Sequence, residues 1–124
     1  MSHRSPSRIL AIRLGALGDV LLTLPALELA ARTWPAARLD VLTRPPYDAF
    51  VARHPAVTRV LTPDPGRRGL AADLALARRV RAARYDLVLD LHGTPRSRLI
   101  TALSGAAARR RVDGARLARR RLVW

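Results

Sequence analysis

Short apolar runs alternate with longer segments of helical period along this chain, and that alternation restricts the fold more than any other feature. Ile9–Leu14 and Asp86–Leu91 are mostly aliphatic, as strands of a parallel sheet are when both of their faces are covered. Leu39–Thr43 and Val57–Leu61 read as further strands, and Arg111-Val112 as a short fifth. Between them, Asp19–Arg32, Tyr47–Arg53, Leu70–Arg84 and Pro95–Leu103 have helical spacing. Val20, Leu24, Leu27 and Ala31 share one face of the first; Leu70, Leu74, Ala77 and Val80 share one face of the third. Pro25 predicts a kink or a late start in the first helix, because it removes a backbone donor. Alternation of this kind gives an α/β fold, a Rossmann-like parallel sheet with right-handed crossovers.

The 124 residues suffice for one such domain and not for two. With only five aromatic residues, its core must be built from Leu, Val, Ile and Ala. The sequence has no Cys, which excludes disulfides and thiolate metal sites, and His3, His54 and His92 lack metal-ligand spacing. No metal is expected. No apolar stretch approaches the ~18 residues that mark a membrane span. Residues 1–8 are polar and read as a disordered tail without the features of a secretory leader, so a cytoplasmic location is expected.

The net charge is +14, and all 23 basic residues are Arg. Absence of Lys beside abundant Ala is the mark of GC-rich coding, so part of this basicity is compositional. The remainder favours anionic partners such as phosphates, nucleic acid or acidic lipid headgroups. Residues 109–124 concentrate it, with seven Arg against Asp113 alone. The segment 114–124 ends on Val123-Trp124 and reads as a basic stretch leading into a missing remainder.

Three segments carry candidate chemistry, each at the carboxyl end of an expected strand, where ligands of parallel α/β sheets bind. The first is Gly15-Ala16-Leu17-Gly18-Asp19. Its glycines allow close backbone approach, the following helix offers free N–H groups, and Asp19 stands at the mouth. Asp19 as a plain helix cap explains the same pattern. The second is Asp90–Arg98, with His92, Gly93, Arg96 and Ser97. Arg96 and Arg98 gain nothing from the positive end of a helix dipole, which points to a bound anion; an ordinary solvated charge is the competing reading. The third is Arg44-Pro45-Pro46-Tyr47, where Tyr47 can stack on a sugar or simply close a rigid turn.

Taken in order, Ile9–Leu27, Trp34–Leu42, His54–Val60 and Tyr85–Gly93 with Arg96-Ser97 resemble glycosyltransferase family 9, the bacterial ADP-heptose–lipopolysaccharide heptosyltransferases. The resemblance covers about residues 9 to 113. It implies the N-terminal domain of a GT-B glycosyltransferase, the acceptor-side half of two Rossmann-like domains facing across a cleft. By the match Asp19 is the catalytic base, Gly15, Gly18, His92, Gly93, Arg96 and Ser97 bind substrate, and Arg96 meets acidic Kdo or phosphate groups. His92 stands where such proteins also carry Gln. The implied partners are a lipid A/Kdo-type acidic acceptor and a nucleotide-sugar donor, ADP-heptose, bound mainly by a C-terminal domain this sequence lacks. Transfer would invert the anomeric centre without a metal, and this half alone would be inactive. The resemblance also implies a peripheral place at the inner face of the inner membrane, and no nucleic acid. Two alternatives from other classes are a stand-alone nucleotide- or phosphate-binding module and an Arg-rich anion-binding protein.

Overall fold

Nearly continuous aliphatic strands are stable only if helices cover both sides, and the order of the chain achieves that. The structure, a computed structural model, describes residues 5–15, 17–66 and 68–111. Five strands and four helices alternate: β1 (Arg8–Ile12), α1 (Leu17–Thr33), β2 (Arg38–Leu42), α2 (Tyr47–Ala52), β3 (Arg59–Leu61), α3 (Gly69–Ala82), β4 (Leu87–Asp90), α4 (Pro95–Leu103) and β5 (Ala108–Arg111). All pair in parallel, in the order β3-β2-β1-β4-β5. The chain first steps outward from β1 to β3, then crosses back to build β4 and β5 on the other side. Constant right-handed crossover therefore puts α1 and α2 on one face and α3 and α4 on the other.

Two core layers follow. Ile9, Ala11, Leu39, Val41, Leu87 and Leu89 meet Val20, Leu27 and Ala30 of α1 and Val51 of α2. Leu10, Ile12, Leu42 and Val88, the alternate strand positions, meet Leu76, Ala77 and Val80 of α3 and Ile100 of α4. The α/β parallel architecture expected from the sequence is thus present, and no helix among the described residues is long and apolar enough to cross a membrane.

Several boundaries differ from expectation. The polar tail assigned to residues 1–8 is described only from Ser5, and its end is held: Arg8 opens β1, and the Ser7 hydroxyl and the Ser7 and Arg8 N–H groups donate to the Asp86 carboxylate at 2.7–2.9 Å. These donors, with Arg8 alongside, hold the Asp86 carboxyl below its usual range. Helix α1 starts at Leu17 rather than late, and is continuous through Pro25. The carbonyl orphaned by that proline belongs to Leu21, which is exposed, so water can satisfy it. In α3 the inward residues are Leu76, Ala77 and Val80, while Leu70 points out, 65 % exposed. Strand β3 is only three residues long: the Val57 N–H closes the turn from α2 on the His54 carbonyl, Thr58 bonds Leu39 of β2 just ahead of the strand, and β5 begins at Ala108. The basic segment 114–124 and Val112 lie outside the described residues.

Candidate functional site

The strand order reverses between β1 and β4, so the crevice beyond their carboxyl ends is where this fold can receive a ligand. The loops after β1 and β4 meet there, together with the loop after β2. Ladder bonds continue past the strands: Leu91 N–H donates to Ile12 C=O, and Arg13 N–H to Leu42 C=O, both at 3.0 Å.

Arg13 organises this rim. It is the one charge within the aliphatic run Ile9–Leu14, and its side chain is largely buried. Nη1 donates to the Leu91 carbonyl at 2.7 Å, tying the guanidinium to the end of β4. Nη2 pairs with Asp19 Oδ2 at 2.9 Å. Asp19 lies in the first turn of α1, inside the helix rather than capping it, and its side chain is 52 % exposed. One carboxylate oxygen is thus fixed against a charge, and the carboxylate remains open to solvent.

The second loop is shaped by Asp90 and locked by His92. Buried Asp90 accepts the His92 and Gly93 N–H groups on Oδ1 at 3.0 and 2.9 Å, which folds the chain into an Asx turn. Gly93 completes the turn at φ +72°, a left-handed conformation that glycine adopts without strain. His92 Nδ1 accepts the Leu14 N–H at 3.0 Å, joining the two loops and leaving the ring proton on Nε2. Burial, and after it the charge of Arg13, lower the His92 pKa below its ordinary value, against the opposing pull of Asp90 and Asp19. The ring is therefore a neutral Nε2–H donor near pH 7.

The glycines of the first turn divide in role. A Cβ on Gly15 would come within 2.9 Å of the Arg44 guanidinium, which also lies over the Tyr47 ring, 5.9 Å from its centroid. Gly15 thus makes room for the Arg44 side chain, which comes from the loop after β2, where the Pro45-Pro46 bond is cis. An added Cβ on Gly18 meets nothing within 4 Å, so no neighbour among the described residues requires glycine there.

Two expected binders are otherwise engaged. Ser97, expected to bind substrate, is fully buried and turned into its own helix. Thr94 Oγ1 accepts the Ser97 N–H while Ser97 Oγ accepts the Thr94 N–H, a capping box closed by Pro95 at the first helical position. Arg96 projects to α3, where its Nε donates to Asp73 Oδ1 at 2.6 Å; this carboxylate stands where the sequence suggested a bound anion. Arg13 was not among the expected site residues, although a lone Arg closing an aliphatic strand was a readable sign. Among the described residues no group of three or more His, Asp and Glu side chains is arranged to hold a metal ion.

The arrangement offers a fixed, solvent-open carboxylate, a neutral imidazole donor and a helix N-terminus along one crevice. The chain is 34 % identical over 106 residues to lipopolysaccharide heptosyltransferase 1 of Pseudomonas aeruginosa, covering 79 % of this chain and 30 % of that protein. It superposes on E. coli heptosyltransferase WaaC, solved with ADP, at a TM-score of 0.66 and 30 % identity, over 83 % of this chain and 34 % of that one. It also superposes on the glycosyl transferase family 9 structure from Veillonella parvula at 0.77 over 94 % of this chain and 40 % of that one; at 18 % identity this likeness speaks for the fold alone. No protein-family model matches the sequence. The chain thus spans well under half the length of each of these three proteins.

Proposed function

Because this chain belongs to glycosyltransferase family 9, we propose that it is the acceptor-side part of an enzyme that transfers a heptose from a nucleotide-sugar to the core of lipopolysaccharide. The observation that carries the reading is the Arg13-held Asp19 carboxylate at the crevice between β1 and β4, beside the His92 loop. In the reaction the acceptor hydroxyl gives its proton to Asp19 as its oxygen attacks the anomeric carbon. The bond from that carbon to the diphosphate breaks, the nucleoside diphosphate departs, and the anomeric centre inverts. No metal enters this scheme. Arg13 keeps the carboxylate aimed, and His92 Nε2–H donates to an acceptor oxygen. Gly18 leaves the acceptor free to lie against the first turn of α1. In this scheme Gly15 shapes the loop, and Gly93 sets the turn that aims His92. The donor, an ADP-heptose, is held by the portion of the enzyme outside this sequence. The acceptor is of the acidic lipid A/Kdo type and is met at the cytoplasmic side of the inner membrane.

The test is a fusion of this chain to the donor half of the Pseudomonas aeruginosa relative, assayed for heptose transfer. Transfer that falls by at least about a hundredfold in Asp19→Asn is expected, the scale of general-base loss. Transfer unchanged by that substitution removes Asp19 as the base.

A further inference from the structure

Most basic side chains around the crevice are already engaged. Arg13 is held between the Leu91 carbonyl and Asp19, and Arg96 by Asp73. Arg98 turns toward β5, where it lines a hollow with Arg109 and Arg110. Arg44 is different: it is exposed, and its guanidinium makes no ion pair among the described residues. The side chain is nevertheless placed. The Tyr47 N–H donates to the Arg44 carbonyl at 3.0 Å, closing a turn that brings the Tyr47 ring to the guanidinium, 5.9 Å from Cζ to the ring centroid. The guanidinium also lies against Gly15, so close that a Cβ there would meet Nε at 2.9 Å and Nη2 at 3.2 Å. Leu14, the residue before, is bonded to His92 Nδ1, so this seat adjoins the junction of the two loops. After burial and the charge of Arg13, the Arg44 charge further lowers the His92 pKa, which puts the guanidinium within electrostatic reach of that ring.

We propose that Arg44 is a specificity-determining residue of the crevice, its guanidinium fork taking an oxyanion of the acceptor, a sugar-acid carboxylate or a sugar phosphate. A planar guanidinium offers such a group two parallel N–H donors, and stacking on Tyr47 restricts its side chain before any ligand arrives, so less freedom is lost on pairing. Any side chain on residue 15 would push the guanidinium out of this seat, which gives Gly15 a part in acceptor recognition through Arg44. The proposal rests on the acceptor-side reading above and gives Arg44 the contact with an acidic group that the sequence suggested for Arg96, whose Nε is spent on Asp73. Its readout is binding rather than sugar transfer. It can fail while transfer in the donor-half fusion still depends on Asp19, and the reverse.

The test is titration of the isotope-labelled 124-residue chain with three probes, the monosaccharide Kdo, its methyl ester and glucose 6-phosphate, following backbone amide shifts. Kdo should bind more tightly than its ester. Arg44→Gln should weaken Kdo binding on the order of tenfold or more, the scale of a lost charge-assisted pair, and bring it level with the ester. Arg44→Lys should recover only part of the loss, because an ammonium lacks the fork. Gly15→Ala keeps the charge but displaces the guanidinium, and should weaken Kdo binding too. Arg78→Gln, an exposed arginine of α3, should leave binding unchanged. Circular dichroism checks that each variant is folded. Glucose 6-phosphate that binds more tightly than Kdo and is lost in Arg44→Gln identifies the oxyanion as a phosphate and upholds the role of Arg44. Oxyanion binding that persists in Arg44→Gln, or falls equally in Arg78→Gln, overturns the proposal. So does the absence of binding by both oxyanions, or Kdo bound no better than its ester without a response to the phosphate.

Discussion

Tyr85 provides an unusually clean probe of the fold, because the sequence contains neither Lys nor Cys. Between pH 9 and about 12, tyrosines are then the side chains that titrate, Arg remaining charged throughout. Tyr85 is buried, and its hydroxyl donates to Asp40 Oδ2 at 2.6 Å, with Arg59 3.2 Å from the same oxygen. Burial first, and the Asp40 hydrogen bond second, push the Tyr85 phenol from 10.0 up to about 12. A raised folded-state value means that the stabilisation is complete below pH 10, where both states keep the proton. It is lost as pH rises toward 12, where the unfolded chain ionises first. At about 1.4 kcal/mol per unit, the loss across the window is about 3 kcal/mol. Urea unfolding followed by circular dichroism at intervals from pH 9 upward measures it, with tyrosinate absorbance as the companion signal. Tyr85→Phe should remove that slope and cost about 1–3 kcal/mol at neutral pH, since Asp40 Oδ1 has no partner among the described residues and Oδ2 would lose its shortest one. Tyr47→Phe should leave the slope in place. A wild-type chain whose stability is flat over this window, or a slope that survives in Tyr85→Phe, refutes the reasoning.

Three further outcomes are expected. Ile100→Ala empties a fully buried position between α4 and the sheet and should lower unfolding free energy by about 3–4 kcal/mol in urea titration. Gly18→Ala meets no neighbour among the described residues and lies in a helical turn, so it should raise stability by up to about 1 kcal/mol while impairing transfer in a donor-half fusion. Asp86, held below the ordinary 3.8 by Ser7 and Arg8, contributes stability above about that pH and loses it as pH falls further. Acid unfolding followed by circular dichroism should therefore be shallower below pH 4 in Asp86→Asn, because the substituted side chain has no proton to take up.

What the sequence disclosed, and what it withheld, follows the range of the interactions concerned. The parallel sheet was legible because aliphatic continuity in Ile9–Leu14 and Asp86–Leu91 admits little else. The crevice was legible because Gly15, Asp19, His92 and Gly93 all fall just past strand ends. Ser97, expected to bind substrate, is turned inward by the capping box, and Thr94 and Pro95 already carried that helix-start signature. The partners of Arg96 and Tyr85 were not legible: Asp73 and Asp40 lie 23 and 45 residues away and meet them only through tertiary packing. Arg13 is the intermediate case, conspicuous at the end of a strand, but aimed at Asp19 only once the turn between them is closed.

The acceptor-side assignment is tested most directly by titrating the isotope-labelled chain with a Kdo-bearing core fragment and, separately, with ADP, following backbone amide shifts. The expected result is saturable change at residues 15–19 and 91–94 with the acidic sugar and little change with ADP. Tight ADP binding at the 15–19 turn, with no response to the acceptor fragment, contradicts the assignment and favours a nucleotide-binding module.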